Sequence, residues 1–126
     1  MISLSDGTIT NKDSGNSASH GWGTAGANGA QVTFSASDQT LDGDIVVDTI
    51  STLDMTLSDN STFNGTINII DNADGGTAVS DNAVVTIDSG STWNLTGNCT
   101  ISSLTNNGTI NFNGYTITLA DGTVLK

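Results

Sequence analysis

The sequence predicts an all-β fold without helix: a single-stranded parallel β-helix of about four to five coils, each of roughly 22–30 residues, forming one solenoid domain over residues 1–126. Three observations lead there. The composition favours strands and tight turns, a strand-and-corner pattern recurs along the chain, and no segment carries a helical period of apolar residues.

Hydrophobic residues make up only 35% of the chain and charged residues 12%, with 15 Gly and no Pro, so a conventional packed core is undersupplied. Low hydrophobicity can also mean disorder. Disordered chains, however, are rich in Lys, Glu and Pro, whereas the polar mass here is Thr, Ser and Asn. Thr suits strands, and Asn with Gly suits turns. The 13 acidic residues are all Asp and face only Lys12 and Lys126, with no Arg, for a formal net charge of −11. A chain this poor in cations releases no counterions from phosphate, which excludes nucleic acid as a partner. Anionic membrane surfaces are equally unfavourable, and no apolar stretch is long enough to insert. Cys99 stands alone and forms no internal disulfide; its role is open.

Taken in chain order, residues 11–30 are the longest stretch without a pattern and are expected to form a Gly/Ser-rich loop carrying the single histidine, His20, and Trp22 between two glycines. The repeat then begins. Met55-Thr56-Leu57-Ser58-Asp59-Asn60-Ser61-Thr62-Phe63 lies without a gap over Val85-Thr86-Ile87-Asp88-Ser89-Gly90-Ser91-Thr92-Trp93, at an offset of 30 residues. Val32-Thr33-Phe34 followed by Leu41 forms an earlier copy at an offset of 23, and Ile110-Asn111-Phe112 followed by Tyr115 a later one at an offset of 25. Each copy reads apolar, polar, apolar, then a polar turn, then a large apolar residue, which is strand alternation broken by a corner.

Such copies bury little alone, but their apolar residues stack at the strand spacing of about 4.8 Å into one continuous core. The expected core stack is Leu41, Phe63, Trp93 and Tyr115, flanked by columns through Val32, Met55, Val85, Ile110 and through Phe34, Leu57, Ile87, Phe112. Corners are expected at Asn64-Gly65, Gly97-Asn98, Asn106-Asn107-Gly108, Asn113-Gly114 and Asp121-Gly122, where positive φ is cheap. The longer coil should carry an Asp-rich insertion over residues 71–82, bulging outward.

Ser91-Thr92-Trp93-Asn94-Leu95-Thr96-Gly97, followed by Ser103-Leu104-Thr105-Asn106-Asn107-Gly108-Thr109-Ile110-Asn111-Phe112, resembles the last coils of bacterial autotransporter passengers of the pertactin and adhesin type. Asp42-Gly43-Asp44-Ile45-Val46-Val47-Asp48-Thr49-Ile50-Ser51-Thr52-Leu53, with the Trp93 coil, is similar to adhesin-like, carbohydrate-binding β-helix proteins, so the likeness runs from about Val32 to the end. The resemblance implies a right-handed β-helix on a bacterial cell surface or outside the cell, in some cases binding acidic polysaccharide and calcium. It carries over no residue-level motif.

Enzymatic β-helices acting on pectin need an Arg base with calcium, or clustered Asp with basic residues for the uronate. With no Arg, and Lys only near its ends, the chain is expected to be non-enzymatic; its best carboxylate pair is Asp42 with Asp44. No cofactor is required, although calcium suits Asp and backbone carbonyls. The first metal candidate is Asp42, Asp44 and Asp48, the second Asp71, Asp74 and Asp81; against both stands the reading of Asp as a solvated turn residue. Trp22 with His20 is the candidate ligand site, Trp22 stacking on a sugar or else plugging the first coil. Asn-x-Ser/Thr triplets at Asn60, Asn64, Asn94, Asn98 and Asn107 follow from the Asn/Thr-rich corners, and Thr-x-Thr, at Thr8–Thr10 and Thr116–Thr118 only, falls short of an ice-matching array.

Residues 1–7 show neither the basic start nor the apolar run of an export signal. Coil-like sequence starts at Ile2 and continues to Leu125 without a polar cap. The chain is therefore expected either to be cut from a longer solenoid or to stack head-to-tail on identical subunits, a heterologous contact that builds filaments. The expected function is a structural and adhesive surface module with polysaccharide as its partner, the alternative a self-assembling extracellular fibre subunit.

Overall fold

A computed structural model describes residues 7–11, 31–71 and 80–126, and within them the chain is all-β, with no helix. The strands follow one another in passes. After β1 (Gly7–Asn11) come β2 (Gln31–Ser37) and β3 (Thr40–Asp48), then β4 (Thr52–Ser58), β5 (Thr62–Gly65) and β6 (Ile67–Ile70). The next pass is β7 (Ala83–Ile87), β8 (Thr92–Leu95) and β9 (Cys99–Thr100); the last is β10 (Ser103–Asn106), β11 (Thr109–Asn111) and β12 (Ile117–Thr118), with β13 (Val124–Leu125) after it.

Three rows of parallel strands result. The first is β2, β4, β7 and β10. The second is the start of β3, then β5, β8 and β11. The third is β1, the end of β3, β6, β9 and β12. β3 belongs to two rows because it bends at Gly43, whose φ of 143° suits glycine. β13 alone runs antiparallel, pairing back on β12.

Alternation sorts the side chains. In β4 Leu53, Met55 and Leu57 are buried between exposed or half-buried Thr52, Asp54, Thr56 and Ser58, and β7 repeats this with Ala83, Val85 and Ile87. Inward residues meet across strands as Phe34–Met55–Val85–Leu104, Ala36–Leu57–Ile87 and Leu41–Phe63–Trp93–Ile110. Phe63 and Trp93 make a T-shaped pair, centroids 5.9 Å apart, and the buried indole N–H donates to Gly65 O at 3.0 Å.

Two expected registers differ. Tyr115 is not in the core stack: it is 39% exposed after the Asn113-Gly114 turn, and Ile110 takes the place beside Trp93. Ile110-Asn111-Phe112 belongs to the second row, so its likeness to Val85-Thr86-Ile87 is one of alternation, not of position; Ser103–Asn106 is the strand that pairs with β7. In the first pass Phe34, not Val32, meets Met55, a shift of two residues that preserves the inward face. Alternation has a period of two, so it cannot detect such slips.

The corners satisfy their own polar groups. Asp59 and Asn60 both have positive φ, 53° and 65°, the signature of a type I′ turn. Ser61 and Ser91, both fully buried, lie inside successive corners: Ser61 Oγ accepts from Gln39 N, and Ser91 Oγ accepts from Ser61 N, each at 3.2 Å. Asn82, buried at the end of the long insertion, donates to the carbonyls of Ser51 at 2.8 Å and Asp48 at 3.2 Å and so closes the preceding turn. Asn64-Gly65, expected as a corner, instead ends β5, where a Cβ on Gly65 would stand 1.7 Å from Gly43 O.

Candidate functional site

The second row has one composition on its outward face. Its four strands read Thr40-Leu41-Asp42, Thr62-Phe63-Asn64, Thr92-Trp93-Asn94 and Thr109-Ile110-Asn111. In each the central apolar residue points into the core, which forces the residues on either side outward. The strands are in register, so Thr40, Thr62, Thr92 and Thr109 stand side by side, as do Asp42, Asn64, Asn94 and Asn111.

The second of these columns is a hydrogen-bonded ladder. Asn64 Nδ2 donates to Asp42 Oδ1 at 2.6 Å, Asn94 Nδ2 to Asn64 Oδ1 at 2.7 Å, and Asn111 Nδ2 to Asn94 Oδ1 at 2.6 Å, across sequence separations of 22, 30 and 17 residues. The ladder has a direction: each later strand donates to the earlier one. It begins at Asp42 because a carboxylate can only accept. Its links fix the amide rotamers and leave each asparagine a second N–H and further acceptor capacity that the ladder does not use. No reading of the sequence identified this column, although the Thr-x-Asn/Asp triplets that generate it are visible in the letters.

Acidic residues border the face. On one side the turns before these strands carry exposed Asp38 and Asp59 and half-buried Asp88, tied by a hydrogen bond from Asp59 N to Asp88 Oδ2 at 3.3 Å and by Ser37 Oγ donating to Asp59. On the other, beyond the Gly43 bend, is exposed Asp44. The face itself is uncharged except at Asp42.

The expected metal triad is not gathered. Asp42 accepts from Asn64, and Asp44 Oδ1 accepts from both N (3.1 Å) and Oγ1 (2.8 Å) of Thr66. Asp48 is fully buried at the turn into the next pass. The bend at Gly43 and the burial of Asp48 send the three carboxylates to different surroundings. Among the described residues no three His, Cys or Asp side chains are placed to hold a metal ion. Of the second candidate group Asp71 and Asp81 are exposed, and Asp74 lies outside the described residues, as do His20 and Trp22. Cys99 is buried in the third row beside Ile117, and burial pushes its thiol pKa up to about 11, against a smaller lowering by the Ile67 backbone; nearby Asp44 also raises it. A thiol held protonated in this way is a packing residue rather than a nucleophile.

Comparison with protein-family models, with curated proteins and with solved structures found no match.

Proposed function

We propose that the chain is a right-handed parallel β-helix that works as a non-enzymatic structural and adhesive surface module, on a bacterial cell surface or outside the cell, with polysaccharide as its ligand. Three parallel rows visited in the same order on each pass, with apolar columns inside, support the β-helix. The observation that carries the adhesive reading is the outward Thr/Asn face of the second row, an in-register array of hydroxyls and amides whose amides are already locked by the ladder. Preorganised polar groups lose little entropy on binding, so many weak contacts can add up. Catalysis has no support in the carboxylate pair, because Asp42 and Asp44 each accept hydrogen bonds from the next pass, from Asn64 and from Thr66, and the sequence holds no Arg to serve a uronate.

The test is retention of the purified protein on insoluble and immobilised polysaccharides, cellulose and pectin among them, with calcium varied. Retention above that of an unrelated acidic protein supports the reading; no retention on any polymer at any calcium concentration removes the carbohydrate part of it.

A second reading, the self-assembling fibre subunit, draws support from the last pass. β10 and β11 each pair on one side only among the described residues, and Leu104 and Ile110 are only half-buried beside those open edges. Against direct stacking, β13 already occupies the edge of β12. Light scattering across a concentration series decides, a strictly monomeric species at high concentration excluding the fibre.

A further inference from the structure

We infer that the outward face of the second row is the ligand-binding face, and that its ligand is a neutral, hydroxyl-rich polysaccharide rather than an acidic one; this rests on the polysaccharide reading above and specifies its site and chemistry. The ladder sets what the face can offer. Each asparagine spends one N–H on the strand before it and, in Asn64 and Asn94, accepts one bond from the strand after it. What the ladder leaves unused is one N–H per amide, one acceptor position on Asn64 and on Asn94 and two on Asn111, beside one threonine hydroxyl per strand that is donor and acceptor in one group. Such groups repeat at the strand spacing of about 4.8 Å down each column and about 7 Å between the columns. A surface with both donors and acceptors at every step, and no fixed cation, is complementary to sugar hydroxyls, which are themselves both.

Charge selects among sugars. Asp42 is on the face, Asp38, Asp59 and Asp88 line one border, and Asp44 stands at the other. A uronate carboxylate lying on the face would meet acidic side chains on either side, with no Lys or Arg on any of the four strands to offset them. A neutral chain meets no such penalty. The outward face of the first row is a control for the ladder: its column Ser35, Thr56, Thr86 and Thr105 also carries a hydroxyl on every strand, but the column beside it, Thr33, Asp54, Val84 and Ser103, holds no amide.

The experiment compares the full chain with Thr92→Lys and Thr109→Lys on the second row and Thr86→Lys on the first, each checked by thermal melting. Retention is measured on cellulose, mannan and immobilised polygalacturonate, in chelator and in calcium. A lysine planted on the face removes a hydroxyl contact and blocks the neighbouring rungs, so Thr92→Lys and Thr109→Lys should each weaken retention on the neutral polymer by about tenfold or more, while Thr86→Lys leaves it unchanged. Thr109 is exposed on the last strand of the row, so that variant reports even if Thr92→Lys fails to fold. Three results overturn the inference while leaving polysaccharide binding standing: full retention of both second-row variants, equal loss in Thr86→Lys, or binding of the unaltered chain only to polygalacturonate with calcium. Failure of the unaltered chain to bind any polymer overturns the polysaccharide reading and this inference with it.

Discussion

Replacing Trp93 by alanine tests the stacked core most directly. Trp93 is 1% exposed, packs edge-on against Phe63 at 5.9 Å, and stands in the column Leu41–Phe63–Trp93–Ile110. Truncating a buried tryptophan costs about 3–5 kcal/mol through lost transfer energy and the cavity left behind. The substitution also strips Gly65 O of the indole N–H it accepts at 3.0 Å, and an orphaned buried carbonyl costs about 1–3 kcal/mol. The terms overlap, because water entering the cavity can reach the carbonyl, so the expected loss is about 4–6 kcal/mol.

Against a total stability of about 5–15 kcal/mol, that is a third of the fold or all of it. Urea unfolding followed by far-ultraviolet circular dichroism measures it, as a fall in midpoint at unchanged slope. Trp93→Phe separates the contributions: it keeps an aromatic edge toward Phe63 but not the N–H, and should lose about 1–3 kcal/mol. A loss below about 1.5 kcal/mol for Trp93→Ala, or equal losses for the two variants, would show that the column does not pack as described.

Three further outcomes follow. Gly65→Ala should be at least as damaging as Trp93→Ala, because the new Cβ would stand 1.7 Å from a backbone oxygen that cannot rotate away; an unchanged melting midpoint refutes the close approach at Gly43. The Cys99 thiol pKa, raised to about 11 from an ordinary 9.0, contributes stability that is fully present below pH 9 and is lost as pH climbs to 11, by about 2–3 kcal/mol in all. Cys99→Ser should flatten that alkaline decline, and a decline unaltered by the substitution refutes the assignment. Calcium and magnesium at fixed ionic strength should shift the melting midpoint by equal small amounts, as screening of 13 aspartates requires, because Asp42 and Asp44 already serve as acceptors for Asn64 and Thr66 of the next pass. A rise specific to calcium and abolished by Asp44→Asn would restore the metal site.

The strand content was legible because alternation is local: Val85-Thr86-Ile87 declares which side chains go inward without reference to any partner. Register is not local. The matched segments beginning at Met55 and Val85 fixed one pairing because they align over two rows at once, corner included, and the structure pairs them residue for residue. The outer passes offered only three-residue anchors, and Ile110-Asn111-Phe112 fits any row whose alternation it matches. Sequence alone could not reject the wrong one, since both choices bury Ile110 and only the corner lengths differ.

The Thr/Asn face is hidden in the letters for a related reason. Attention to apolar positions discards their neighbours, and the four triplets are centred on Leu, Phe, Trp and Ile, which hides their likeness behind four different core residues. Core positions tolerate that variety as long as volume is shared with the strands above and below. The outward positions do not vary in the same way: threonine stands at all four first positions, and a side chain able to accept the ladder bond at all four third positions. Strand formation demands only a polar, β-compatible residue there, and the first row meets that demand with one hydroxyl column, Ser35, Thr56, Thr86 and Thr105, and one mixed column, Thr33, Asp54, Val84 and Ser103. What sets the second row apart is therefore not its hydroxyls but its third positions, Asp42, Asn64, Asn94 and Asn111. Those residues form the ladder, which stabilises the stack by about 0.5–1.5 kcal/mol per link. The threonine column makes no such link and has its counterpart in the first row, so the reason to look for a ligand on the second row is the hydrogen-bonding capacity its amides keep beside those hydroxyls.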